Sequence, residues 1–124
     1  MKNLHIQATK KTPTVSLNSE GEIRIEGRSI PEDASLFFHE IIEWCKLYLT
    51  THPPKTKVDI YFEYLNSGTS KYILQILKLL KENLGSDQEL IVNWFYEEGD
   101  DDIMERGEYY ASILEMDINF IETE

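Results

Sequence analysis

The chain has 124 residues, with 12 Lys and Arg against 23 Asp and Glu, a formal charge of −11, and one cysteine. That length fits one domain over residues 1–124, large enough to fold without a metal or disulfide staple. Its charge excludes generic binding to nucleic acid or anionic membranes, both of which need basic patches. A lone cysteine rules out a disulfide-stapled secreted module, no apolar run nears the roughly 18–20 residues of a membrane span, and residues 1–6 lack the apolar core of a signal peptide. A cytoplasmic setting is the expectation.

Taken in chain order, Thr14-Val15-Ser16-Leu17 and Glu22-Ile23-Arg24-Ile25-Glu26 alternate apolar and polar residues, the period of a half-buried strand. Asn18-Ser19-Glu20-Gly21 supplies turn residues between them, which predicts a β-hairpin. Gly27 breaks the second strand. Ser29-Ile30-Pro31-Glu32 has capping-box spacing and predicts a helix start. The helix that follows carries two adjacent apolar rows, Phe37/Ile41/Trp44/Tyr48 and Phe38/Ile42/Cys45/Leu49, a broad stripe suited to a sheet. His52-Pro53-Pro54 ends it, because a residue before proline leaves the α region.

Residues 57–65 place Val58, Ile60, Phe62 and Tyr64 on one face and Tyr61 and Leu65 on the other, which predicts an interior strand covered on both sides. Asn66-Ser67-Gly68-Thr69-Ser70 is a run of cap and turn residues opening a helix from about Ser70 to Leu84, with Gly85 as its C-terminal cap. A strand is expected at 90–96, an acidic loop at 97–102, a weaker helix at 103–116 and a short edge strand at 118–121. The order β-β-α-β-α-β-α-β predicts an α/β fold, a mixed sheet with helices packed on it. Parallel pairing would bring the loops at 27–32, 66–71 and 97–102 to one end of the sheet, where α/β proteins place their sites.

Few residues there have the makings of chemistry. The segment Asn66-Ser67-Gly68-Thr69-Ser70-Lys71 opens a helix, whose unpaired N–H groups and partial positive charge suit a phosphate, bound or covalently placed on Ser67 or Thr69. Against this stands a purely structural role, with Ser67 or Thr69 as the N-cap. The single glycine and the order Gly-Thr-Ser-Lys do not make a P-loop. Glu97, Glu98, Asp100, Asp101 and Asp102 lack the Ca²⁺-loop pattern and read as an acidic helix cap or partner surface rather than a metal site. His39-Glu40-Ile41-Ile42-Glu43 lacks the second histidine of a zinc-protease motif. Cys45 falls in an apolar row and is expected to be inert. No nucleophile and base can be paired, so no catalytic residue, cofactor or metal is predicted.

Three stretches resemble, in order and spacing, the signature motifs of the SiaC family of bacterial regulatory phosphoproteins. They are Gly27-Arg28-Ser29-Ile30-Pro31-Glu32, Tyr64-Leu65-Asn66-Ser67-Gly68-Thr69-Ser70-Lys71 and Trp94-Phe95-Tyr96-Glu97-Glu98-Gly99-Asp100-Asp101-Asp102. The resemblance implies a STAS-like α/β domain in a partner-switching module, without enzymatic activity. A serine/threonine kinase would phosphorylate it, a PPM-type phosphatase would reverse this, and an output protein such as a diguanylate cyclase would bind one state. The family's acceptor follows the Asn of the second motif, which is Ser67 here, with Thr69 as the second candidate. Where the family commonly has Asn-Thr-Ser-Ser, this chain has Ser67 and Gly68 after Asn66, and the glycine is expected to loosen the loop. Arg28, Asn66, Gly68, Ser70 and Lys71 are the expected phosphate environment and partner contacts, with Arg28 clamping the phosphate or pairing with the acidic loop. The alternative is a phosphate- or small-ligand-binding domain using the same sheet edge.

Overall fold

A computed structural model describes residues 1–124. Six strands, β1 (Leu4–Ile6), β2 (Thr14–Asn18), β3 (Glu22–Ser29), β4 (Lys55–Leu65), β5 (Glu89–Glu97) and β6 (Asn119–Thr123), alternate in their second half with α1 (Ala34–Leu49), α2 (Ser67–Asn83) and α3 (Asp101–Leu114). The sheet runs β1-β2-β3-β4-β5-β6, antiparallel from β1 to β3 and parallel from β3 to β6. The mixed sheet, the hairpin and the edge position of the last strand follow the sequence pattern. Strand β1 adds a first edge that was not expected, since three residues are too few to display a period. No helix is long and apolar enough to cross a membrane.

Because the strands lie in sequence order, right-handed crossovers step always in one direction and put every helix on one face. Buried residues therefore alternate: Val15 and Leu17, Ile23 and Ile25, Thr56, Val58, Ile60 and Phe62, and Val92 and Trp94 face the helices, joined by Phe38, Ile41, Tyr48, Ile73, Leu77, Leu80 and Tyr110. The other face carries no helix, which corrects the prediction that β4 is covered on both sides. It is made of polar groups that answer one another. Asp59 takes the Asn93 amide at 2.8 Å and lies 3.4 Å from Arg24, while Asn119 donates to Asn93 at 3.0 Å. Tyr61 lies against Phe95 and meets Thr123 at 2.9 Å.

The parity of β4 also breaks near its end. Gly27 pairs with Phe62 but Arg28 pairs with Tyr64, so Glu63 is an extra residue, a β-bulge. The bulge turns Leu65 into the core and pushes Tyr64 out to 54% exposure, the reverse of their predicted faces.

Helix starts differ from the predictions by a few residues. Asp33, not Ser29, caps α1, accepting from the Leu36 N–H at 3.1 Å. Ser29 belongs to β3 and is fully buried. Leu84, not Gly85, is the C-cap of α2. Helix α3 is seated tightly on β5. A Cβ at Gly107 would lie 2.6 Å from the Trp94 ring, whose indole N–H donates to the Ile103 carbonyl at 2.8 Å.

Candidate functional site

The parallel half of the sheet aims the ends of β3, β4 and β5 the same way, so α2 and α3 open side by side. Helix α2 begins at Ser67, three residues earlier than predicted. Its cap is Asn66, in extended backbone, whose side chain accepts from the Thr69 N–H at 2.9 Å. Neither Ser67 nor Thr69 is therefore the N-cap, which corrects that structural role. Gly68 lies in the first helical turn with the Ala34 side chain 3.3 Å from where its Cβ would be, so it packs α2 against α1 and does not loosen a loop.

The two candidate acceptors have opposite surroundings. Thr69 is completely buried, with its hydroxyl 2.7 Å from the Ser29 Oγ and donating to the Ser29 carbonyl at 3.1 Å. The same carbonyl accepts from the Asn66 N–H at 3.0 Å. Thr69 thus fastens α2 to β3. Ser67 is exposed, at the first position of the helix. No acidic residue occupies the first turn of α2, so its N-terminal partial charge is left uncompensated. Ser70 and Lys71 follow Ser67 by three and four residues and so share its face of the helix.

Ser70 is tied across to α3: its hydroxyl hydrogen-bonds the Tyr110 phenol, 40 residues away in the chain. Burial raises the Tyr110 pKa, against which the Ser70 hydrogen bond and the Arg106 charge act. Tyr110 in turn meets the Trp94 ring edge-on at 5.4 Å. Beside this link a cleft of about 500 Å³ opens between the end of β4, the start of α2 and the start of α3. Tyr64, Ser70, Arg106 and Tyr109 wall it, with Asp100, Asp102, Glu105 and Glu63 around them. Arg106 and Tyr110 are among the site residues that sequence reasoning missed, with Tyr109, Glu105 and Glu63. The spacing of Arg106 and Tyr110, one helical turn on the face that carries Ile103, was the available signal.

The acidic run does not act as one loop. Glu97 ends β5 and faces the helix-free side of the sheet, where it lines a hollow of about 210 Å³ with Glu26, Tyr61 and Glu63. Glu98 is exposed, and its N–H donates to the Thr123 carbonyl at 2.8 Å. Asp100 caps α3 through the Ile103 N–H at 3.1 Å, and Asp101 and Asp102 occupy its first turn, as the acidic-cap role requires. Arg28 forms no ion pair with any of them, contrary to the pairing expected in the absence of phosphate. It lies next to the end of β3, opposite Tyr64, and β4 separates it from β5. Lys71 does not line the cleft, and its ammonium lies 5.7 Å from the centre of the Tyr72 ring. Cys45 is buried and its thiol is pushed up to about 12, so it stays protonated and inert.

A family model described as SiaC family regulatory phosphoprotein matches residues 6–123. The chain belongs to the SiaC family. An uncharacterized protein of Pseudomonas aeruginosa (strain UCBPP-PA14) is 27% identical over 111 residues, covering 89% of this chain and 88% of that one. Among solved structures, SiaC of Pseudomonas aeruginosa is similar with a TM-score of 0.86, at 24% identity over 99% of this chain and 100% of that one. A chain in the crystal structure of diguanylate cyclase SiaD in complex with its activator SiaC, also from Pseudomonas aeruginosa, gives a TM-score of 0.89 at 24% identity, covering 97% and 99%. In this SiaC-family chain the first two motif stretches converge: Ser29 of the first holds Thr69 of the second. The third lies across the cleft, with Asp100 and Asp102 on its wall.

Proposed function

We propose that this chain is a non-enzymatic switch of one domain, residues 1–124, reversibly phosphorylated on Ser67, acting in the cytoplasm on a protein partner. The observation that carries this is the contrast at the mouth of α2. Ser67 presents an exposed hydroxyl at a helix end free of acidic residues, while the Thr69 hydroxyl is buried and committed to Ser29. A serine/threonine kinase can reach the first without unfolding anything. A PPM-type phosphatase would reverse the step. By family likeness to the SiaC that activates SiaD, the output protein is a diguanylate cyclase, engaged by the unphosphorylated form. The STAS-like partner-switching character belongs to the same reading.

The switch is electrostatic and local. A phosphate adds about −1.5 to −2 charges at neutral pH. The α2 N-terminus and Lys71 stabilise it, so the helix stays intact. Asp100, Asp102 and Glu105 stand on the opposite wall of the neighbouring cleft. Repulsion between the phosphate and these carboxylates changes the surface that a partner meets. The alternative, a diffusible phosphorylated ligand held at this edge, is opposed by the same geometry, since four carboxylates against one guanidinium repel an anion.

Phosphopeptide mapping after incubation with the cognate kinase tests the assignment. Label is expected on Ser67, and Ser67→Ala should remain folded and accept none. Label on Thr69, surviving in Ser67→Ala, would overturn it. The effect of phosphate on partner affinity should shrink when Asp100, Asp101 and Asp102 become Asn, and in salt near 1 M, where the screening length falls to roughly 3 Å.

A further inference from the structure

The cleft between the end of β4 and the first half of α3, with Ser70 of α2 at its side, has the make-up of an interface. Two exposed aromatic side chains, Tyr64 at 54% and Tyr109 at 58%, stand on the walls of this one cleft. Tyrosine and arginine are the residues that most often anchor protein interfaces, and here two exposed tyrosines flank Arg106. The charges around them are also left unanswered. Glu63, Asp100, Asp102 and Glu105 carry −4 against +1 for Arg106, and none of the five belongs to an ion pair. On the open face of the sheet, Asp59 is answered by both Arg24 and Lys57.

We infer that the cleft between the end of β4 and the first half of α3 is the docking site for a cationic amphipathic helix of a protein partner, its apolar face on Tyr64 and Tyr109 and its Arg or Lys side chains on Asp102, Glu105 and Glu63. The occupant follows from charge. The local excess of carboxylates turns away phosphate groups and nucleic acid. A second copy of this chain, at −11 overall, is repelled as well. A cleft of this kind accepts an amphipathic helix through an apolar stripe flanked by complementary charge. Guanidinium groups would gain further from lying over the exposed phenol rings. The assignment rests on the reading that this chain acts by docking a protein. It does not depend on Ser67 being modified.

The test uses the unphosphorylated full chain and a synthetic helical peptide bearing an Arg-Leu-Leu-Arg face, with its Glu-for-Arg counterpart as control. Backbone amide shifts measured by NMR are expected to move around Tyr64, Ser70, Arg106 and Tyr109 with the Arg peptide and to stay still with the Glu peptide. Affinity should fall about tenfold or more for Tyr109→Ala, an exposed position whose loss does not threaten folding. Asp102→Asn with Glu105→Gln should weaken binding by about three- to tenfold, while Glu26→Gln with Glu97→Gln, on the open face, should change little. Shifts centred on the open face, equal binding of the Glu peptide, or equal losses from both pairs of substitutions would overturn the proposal. So would self-association in sedimentation experiments that Tyr109→Ala abolishes, since the occupant would then be a second copy. Because no phosphate enters this measurement, a failed switch at Ser67 leaves its outcome unaffected.

Discussion

Helices α2 and α3 open side by side at the same end of the sheet, yet their first turns are built in opposite ways. Helix α3 is capped by Asp100 and followed at once by Asp101 and Asp102, so the positive end of its dipole is already matched by carboxylates. Helix α2 is capped by the neutral Asn66 and has no acidic residue in its first turn, only the hydroxyls of Ser67, Thr69 and Ser70. One end is saturated with negative charge and the other has room for it. A phosphate is therefore tolerated at α2 for the same physical reason that it would be resisted at α3.

The strongest way to break the comparison is to unseat α3. Gly107→Ala places a Cβ where only 2.6 Å separates it from the Trp94 ring. Overpacking of this kind should cost about 1–3 kcal/mol, read as a lower denaturation midpoint with an unchanged slope. The Ser70–Tyr110 link should loosen with it, because Tyr110 is one turn further along the same helix.

Removing the two caps sharpens the comparison next. Asp100→Ala and Asn66→Ala should each cost about 1 kcal/mol in chemical denaturation. Ser67→Ala, at an exposed position that caps nothing, should stay within about 0.5 kcal/mol of the parent. A larger loss for Ser67→Ala than for Asn66→Ala would mean that the helix is capped differently.

Charge at the two mouths should have opposite signs of effect. Ser67→Glu is expected to stabilise the fold by about 0.3–1 kcal/mol, and Asp101→Asn with Asp102→Asn to destabilise it by a similar amount, both fading in high salt. Stability curves at low and high ionic strength check the pair together.

The smallest effect lies at the mouth of α1. The Asp33 carboxylate accepts hydrogen bonds from the Ser35 hydroxyl and the Leu36 N–H, which hold its pKa below the usual 3.8. A depressed folded-state pKa contributes stability above 3.8 that is lost as pH falls through the lower folded value. Asp33→Asn should therefore flatten the acid limb of the stability profile below that point and leave neutral pH almost unchanged, since asparagine also caps well.

Much of this arrangement could be read along the chain. The hairpin, the three helices, the parallel crossovers and the acidic cap of α3 all follow from local pattern. Choice within a polar run could not. Asn66, Ser67, Thr69 and Ser70 are all competent caps, and only the extended backbone at Asn66, with Thr69 drawn under β3 by Ser29, decides among them. The faces of Tyr64 and Leu65 were reversed because a bulge adds a residue without leaving a mark in the alternation of the sequence.

What the sequence determined by itself is the inventory: an acidic chain of hairpin, helices and strands, with a hydroxyl-rich helix start and a carboxylate-rich one, in the order that brings both to one end of a sheet. Periodicity and capping chemistry act over a few residues, so they are visible in a few residues. Only the tertiary structure decided which hydroxyl is left in solvent, that one face of the sheet stays free of helices, that Glu97 parts from Asp100 and Asp102, and that Arg106 and Tyr110 stand beside Ser70. Those outcomes depend on strand order, on the bulge at Glu63 and on the close seat of Gly107 against Trp94. They join residues some 40 positions apart, as in the Ser70–Tyr110 hydrogen bond, and no local pattern encodes a contact of that range.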